Sequence, residues 1–321
     1  MPPSALICNR CSVHQATKLC ALHRERLNQQ GQAADALTRA ADARRNGTTE
    51  VIDSYKIFLE IKYPVHYQNY CRRLNENTEA AKAEAVLFSL LRNTVDQITL
   101  DEDVSTGGVD FLCISDQSRF MVEVTSLEAE SVATQSGWPN VIADGAAGSF
   151  GMITHMLRTK VSSKTAQLSG YDMPRLLAIT TEHVAADVLL GPHGAEALLI
   201  SDTKIEVPIG KPIDKVGVIT DLKDSVFFRF KKGEIELCKK SISAILLVTI
   251  LADRSLVVGV LHPEPAYQFP ITLLPSVPFL RLKEWPPKDN HLETEWIIAK
   301  PRPGDFLHQK IVMKDKELRT I

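Results

Sequence analysis

No stretch of this 321-residue chain is apolar for long enough to cross a bilayer, and Met1-Pro-Pro-Ser offers no basic region followed by an apolar one. Neither a membrane span nor a secretory leader is therefore expected. Cysteine is scarce, and three of the six, Cys8, Cys11 and Cys20, crowd into the first twenty residues. Cys71, Cys113 and Cys238 stand alone without a disulfide pattern, which predicts a soluble, cytoplasmic protein in a reducing compartment. Cys113, inside the apolar run Phe111 to Ile114, reads as a small buried hydrophobe. Net charge is lacking too: 37 basic residues face 39 acidic ones, giving -2, so bulk electrostatics give no support for nucleic-acid binding. There is no internal repeat, no Walker-type phosphate loop and no Ser-His-Asp or Cys-His arrangement. What remains is a chain 44% hydrophobic, long enough for one large or two modest cores.

Within it, Gly107 to Leu127 reads as two strands with acids on one face. Asp110 opens the first apolar run, and Glu123 lies inside the second, Met121-Val122-Glu123-Val124-Thr125. Side chains alternate along a strand, so Glu123 and Thr125 point one way and Val122 and Val124 the other. A carboxylate in so apolar a run needs a cation, a strong donor or a metal ion beside it, unless the pair is an ordinary hairpin with the Glu in water. Upstream, Thr78 to Arg92 carries apolar residues at helical spacing, with Glu84 on the stripe of Leu87, Phe88 and Leu91. Glu84 either leans into the core or snorkels from the stripe's edge. One acid each from a helix and two strands is an arrangement that collects oxygen ligands around a hard divalent ion.

These residues resemble the PD-(D/E)XK nuclease superfamily, which includes restriction-type endonucleases and Holliday-junction resolvases. Val109-Asp110 matches the family's apolar-Asp pair and Glu123-Val124-Thr125 its acid-x-Lys, within a helix-strand-strand-helix-strand order over residues 78 to 181. The resemblance implies an α/β fold, a restriction-endonuclease-like mixed sheet flanked by helices. It also implies hydrolysis of phosphodiester bonds, in DNA before RNA. Asp110, Glu123 and the carbonyl of Val124 would hold Mg²⁺ or Mn²⁺, and Glu84 would add a ligand or a water-mediated contact. Thr125 departs from the pattern, standing where the family has its Lys. A replacement is at hand in Gly151 to Ser169, which reads as a helix with Ile153, Met156 and Leu157 on the same face as Lys160, Lys164 and Gln167. Either lysine reaches the acids or solvates its ammonium group. The alternative to an enzyme is a nuclease-fold module, catalytically inactive, that binds nucleic acid or a protein partner.

The crowded N-terminal cysteines form a second signal. Cys8, Cys11, Cys20 and His23 have the spacing C-x2-C-x8-C-x2-H, which suits a closed tetrahedral structural zinc site, with His14 as a competing ligand. The ending Cys20, His23, Arg26 resembles compact treble-clef-like fingers. Arg24 and Arg26 belong to a basic N-terminal part that is the candidate phosphate-tracking surface. The chain thus divides into a zinc finger (1-30), a helical linker (31-76), a nuclease-like core (77-200) and a β-rich C-terminal extension (201-321). Pro64 splits the linker's amphipathic stretch Tyr55 to Leu74 into two short helices, a linker or a homodimer contact. Glu128 to Phe150 reads as a long loop, Arg175 to Thr181 as a central strand and His183 as a cap or substrate contact. Lys204 to Ile209, Ser225 to Phe230, Ser243 to Ile250 and Leu256 to Leu261 read as strands. The Pro-rich Phe269 to Pro303 reads as extended wrapping.

Protein purified without chelator is expected to carry about one zinc per chain, since closed sites bind zinc tightly enough to contribute to folding. Elemental analysis checks this, and Cys8→Ser and Cys20→Ser should each release the metal.

Overall fold

The computed structural model describes residues 48–101, 108–115, 118–141, 148–200, 203–206, 217–220, 222, 225–232, 234–250, 255–287, 292–299 and 318–320. The expected zinc ligands Cys8, Cys11, Cys20 and His23, together with Arg24 and Arg26, lie outside the described residues.

Helices α1 (residues 48–62) and α2 (Pro64–Glu76) meet at Pro64, which takes the first turn of α2, where a missing N–H costs nothing. Helix α3 (Thr78–Arg92) starts at Asn77, whose side chain accepts the Ala80 N–H at 3.3 Å. Three antiparallel strands follow, β1 (Gln97–Leu100), β2 (Phe111–Ser115) and β3 (Ser118–Ser126). Helices α4 (Ala129–Ser136) and α5 (Phe150–Lys164) and a 3-10 turn (Gln167–Gly170) lead to β4 (Arg175–Thr181), parallel to β3. Helices α6 (Ala186–Leu189) and α7 (Pro192–Leu199) precede two small ribbons, β5 (Thr203–Glu206) with β6 (Gly217–Thr220) and β7 (Phe228–Lys231) with β8 (Glu234–Leu237). Strands β9 (Ala244–Ile250), β10 (Ser255–Leu261), β11 (Phe279–Leu282), β12 (Thr294–Ile298) and β13 (Leu318–Thr320) complete the order.

Nine of the described strands form one mixed sheet, in the order β1-β2-β3-β4-β9-β10-β11-β12-β13. Strand β9 pairs in parallel with β4, so the C-terminal strands continue the sheet of the preceding segment. All of β4 and β9 is buried, as a central strand with near-continuous apolar sequence demands. One face packs on α1, α2 and α3 through Phe111, Phe120, Val122, Val124 and Leu246. The other packs on α4 through α7 through Met121, Leu177, Ile179, Ile245 and Leu247. Between the parallel β10 and β11 there is no room for another atom: a Cβ on Gly259 would lie 2.1 Å from the Phe279 ring.

Two expected features turn out differently. The segment expected as a loop contains α4, a helix whose buried face is only Ala129, Val132 and Ser136, too small for a periodic apolar signal. The Pro-rich tail contributes β11 and β12 to the sheet, because its prolines fall between short strands rather than inside them.

His262 closes the loop after β10. It is buried against the Phe227 ring, its Nε2–H donates to the Cys238 carbonyl at 2.8 Å, and its Nδ1 accepts the Glu264 N–H at 3.0 Å. Burial pushes its pKa from 6.5 down to about 4, aided by Lys240 and opposed by the hydrogen bond to Cys238. The unfolded chain therefore binds a proton here that the folded chain refuses. Stability is full above about pH 6.5 and falls toward pH 4, by on the order of 3 kcal/mol at the lower end. Urea midpoints across this range should show that loss, and His262→Gln should flatten this part of the profile.

Candidate active site

Strand β3 brings an acid into the buried middle of the sheet. Glu123 is only 2% exposed and, like Thr125, lies on the face covered by α5. Its burial is balanced from the end of that helix. Lys164 Nζ donates to Glu123 Oε1 at 2.6 Å, and Gln167 Nε2 donates to Glu123 Oε2 at 3.0 Å. Gln167 also donates to the Gly108 carbonyl and accepts from Lys164 Nζ at 3.1 Å, so one amide ties the ammonium, the carboxylate and the segment leading to Asp110. Lys164 retains partial exposure, 29% of its side chain, so the pair opens to solvent on one side.

Asp110 stands immediately before β2. The ladder pairs Phe111 with Val122, so Asp110 falls level with Glu123, and its Oδ2 accepts the Val124 N–H at 2.6 Å. That bond orients the carboxylate at the end of the strand. Tyr171, beside Val109 and Asp101, borders the same region; burial raises its phenol pKa first, and a hydrogen bond with Asp101 adds to the rise.

Glu84 comes from the opposite layer, on the buried face of α3. Arg73 of α2 holds it in a two-pronged pair, Nη1 to Oε1 at 2.5 Å and Nη2 to Oε2 at 2.8 Å. A residue that sequence reasoning passed over lies beside these groups. Tyr55 of α1 is buried, its ring 5.0 Å from Phe88 and 6.1 Å from Phe111. Its phenol pKa is raised well above the usual range by burial first, then by the carboxylates of Glu84 and Asp110. Tyr55 therefore stays a neutral hydroxyl that feels the charge of both acids. An aromatic on an amphipathic helix is ordinary core in sequence, and no signal there marks it.

Asp110, Glu123, Lys164 and Gln167 thus come together, while Glu84 is engaged with Arg73. Lys160, one turn before Lys164, is half-buried and makes no ion pair among the described residues. Thr125 is buried and faces Ile179 of β4 in register. Val124 gives its N–H to Asp110. His183 is a buried cap: its Nδ1 accepts the Ala185 N–H at 3.1 Å, which leaves Nε2–H to donate to the Trp138 carbonyl at 3.2 Å. Beyond the ends of β3 and β4 lies a second polar group, with Lys82 paired to Glu182 at 2.9 Å and Glu79 accepting the Ala129 N–H that starts α4.

Among the described residues no group of three or more His, Cys, Asp or Glu side chains is placed to hold a metal ion. The donor chemistry at Glu123 nonetheless suits a hard cation. The Lys164 ammonium is held there by two oxygens, Glu123 Oε1 and Gln167 Oε1, with the Asp110 carboxylate on the neighbouring strand end.

The Arg73–Glu84 pair sets an expectation for stability. Arg73→Leu leaves the Glu84 carboxylate buried without its cation and should cost about 3 kcal/mol in urea unfolding. Pairing it with Glu84→Leu should recover most of that loss. No helix among the described residues is long and apolar enough to cross a membrane. Comparison with family models, curated proteins and solved structures finds no match to this chain.

Proposed function

We propose that the chain is a metal-dependent nuclease of PD-(D/E)XK type that hydrolyses phosphodiester bonds, in DNA before RNA. The observation that carries the reading is the 2.6 Å contact between Lys164 and Glu123. It supplies, from the helix after the strands, the cation that Thr125 lacks. Around this contact α3, β2, β3, α5 and β4 follow the helix-strand-strand-helix-strand order that the resemblance implies, with β1 and α4 as additions to it.

In this reading Asp110 and Glu123, with the Val124 carbonyl, hold Mg²⁺ or Mn²⁺. When bound, the ion supplies Lewis acidity toward a phosphoryl oxygen and a lowered pKa for a coordinated water. The chain's own groups do the rest. Lys164 neutralises charge that develops on the phosphoryl oxygens, where a preorganised cation counts for more than it would in water. Gln167 fixes the directions of Lys164 and Glu123 through its amide. The Val124 N–H aims the Asp110 carboxylate. Glu84, clamped by Arg73, acts on the site through the field it shares with Tyr55 and Asp110. The N-terminal zinc finger, with Cys8, Cys11, Cys20 and His23 as ligands, contributes Arg24 and Arg26 to phosphate contacts. A cytoplasmic setting suits Cys71, Cys113 and Cys238, the free cysteines among the described residues.

One observation favours the second reading, a non-catalytic nucleic-acid or protein-binding module. Glu123 already has a cation and an amide as partners, and Thr125 leaves the usual Lys position without charge. A paired measurement separates the two. Cleavage of plasmid, linear and single-stranded DNA is followed with Mg²⁺, Mn²⁺ or EDTA, and affinity is measured at the same fixed salt. Lys164→Met should lower turnover at least tens-fold, as one charge-stabilising contact is worth on the order of 2 to 4 kcal/mol in a transition state. Its DNA affinity should change much less, since one phosphate contact among several carries little of the binding. Lys160→Met should have the smaller effect on turnover. Equal cleavage by wild type and Asp110→Asn, or binding without cleavage by both, replaces the enzyme with the binding module.

A further inference from the structure

Arg175 opens β4 and is only 2% exposed, a cation inside the core. The ladder sets it level with Met121 of β3, on the sheet face covered by α5 and two residues before Leu177, the partner of Glu123. Its backbone is fixed by Ser243, whose Oγ accepts the Arg175 N–H at 3.0 Å and whose N–H donates to the Arg175 carbonyl at 2.8 Å. The side chain is less well served. It makes no ion pair among the described residues, and its Nε–H has no hydrogen-bond partner. The acid nearby, Asp172, accepts the Tyr267 hydroxyl at 3.2 Å instead. The guanidinium lies over the Tyr267 ring, 5.3 Å from its centroid, and Nη1–H donates to the Leu168 carbonyl at 2.9 Å. Burial lowers its pKa from the usual value, opposed by Tyr267 and Asp172, yet an arginine stays charged. A charge held so deep without a carboxylate is unfavourable, and an apolar side chain at such a place is often neutral or stabilising. Packing therefore does not explain the residue.

What the guanidinium supplies is a charge-assisted bond to one carbonyl, and that carbonyl belongs to the turn carrying Gln167. Within the turn, Gln167, Ser169 and Gly170 are exposed and Leu168 alone is buried. So short a turn has little packing of its own. Arg175 grips it one residue from the amide that binds Glu123 Oε2, the Gly108 carbonyl and the Lys164 ammonium. A shift of the turn would part all three contacts together, and a misplacement of about 1 Å at a reacting centre costs about a hundredfold in rate.

We infer, resting on the nuclease reading, that Arg175 is a positioning residue for the hydrolysis: its buried guanidinium holds the Leu168 carbonyl, and with it the turn that sets Gln167 and Lys164 against Glu123.

Amine labelling with acetic anhydride on the full chain, read at each lysine by mass spectrometry, tests the positioning without any substrate. Arg175→Met should raise the Lys164 rate at least about threefold, the scale of one lost hydrogen bond, and leave Lys160 at its wild-type rate. Lys160 lies one turn earlier on the same helix, so general loosening would raise both, and the ratio of the two separates positioning from stability. Tyr267→Leu serves if Arg175→Met does not fold. It removes the ring over the guanidinium from an exposed position and should shift the same ratio in the same direction. Where the wild type cleaves DNA with Mg²⁺, Arg175→Met should lower kcat at least about tenfold with KM within about twofold. Combined with Gln167→Leu it should be no worse than Gln167→Leu alone, because both act through one amide. A wild type that does not cleave sinks the nuclease reading and leaves the positioning itself to the labelling ratio. A ratio at the wild-type value in either variant overturns the inference, and so do additive effects of Arg175→Met and Gln167→Leu on kcat.

Discussion

A carboxylate on the second strand from the sheet's centre must be answered by a cation, and the fold of the α5 layer follows from that requirement. Glu123 is almost fully buried, and water does not stabilise its charge. Lys164 can reach it only because α5 ends where it does, at the 3-10 turn that carries Gln167. That turn is fixed in its own right: the buried Arg175 donates Nη1–H to the Leu168 carbonyl at 2.9 Å, and its guanidinium lies over the Tyr267 ring. Ser241 adds a hydrogen bond to the Thr165 carbonyl at 3.1 Å. The ion pair is thus held by contacts from β4 and from the segment before β9.

The opposite layer repeats the theme with different parts. Glu84 is answered by Arg73, and Tyr55 and Tyr70 close over the pair with their rings 4.9 Å apart, edge to face. Two buried acids, one on each side of the sheet, are each paired with a cation. Asp110 sits at the strand end and accepts the Val124 N–H.

The parts of this arrangement visible in the sequence are those written in local patterns. Helix α3 runs over Thr78 to Arg92, as its apolar spacing implies, and β4 spans Arg175 to Thr181, the apolar run flanked by polar residues. The placement of Glu123, Lys164 and Gln167 on facing elements was legible because a lysine on the apolar side of a helix needs a reason to be there. Arg73 and Tyr55 were not. Their importance depends on how α1 and α2 fold back over α3, and nothing in a helical stripe says which of its polar or aromatic members meets a distant acid. Helix α4 escaped for a simpler reason, since alanine and serine bury little and leave no periodic trace. The strands β11 and β12 were hidden by their brevity: four and five residues between prolines look extended whether or not a sheet receives them.

The parallel pairing of β4 with β9 sets the order in which the molecule can assemble. Two helices and two ribbons separate the partners in sequence, and closing so long a loop is entropically unfavourable until the sheet contacts form. Non-local pairing of this kind slows folding. Until β9 arrives, β4 has apolar faces and one edge of unpaired backbone groups, the condition in which strands recruit the wrong neighbour. Chain emerging from the ribosome would hold the acids and Lys164 well before it held the strand that covers the free edge of β4. Nascent chains halted before Ser243 should therefore depend on chaperones, and the completed site should appear only after the C-terminal third has been made.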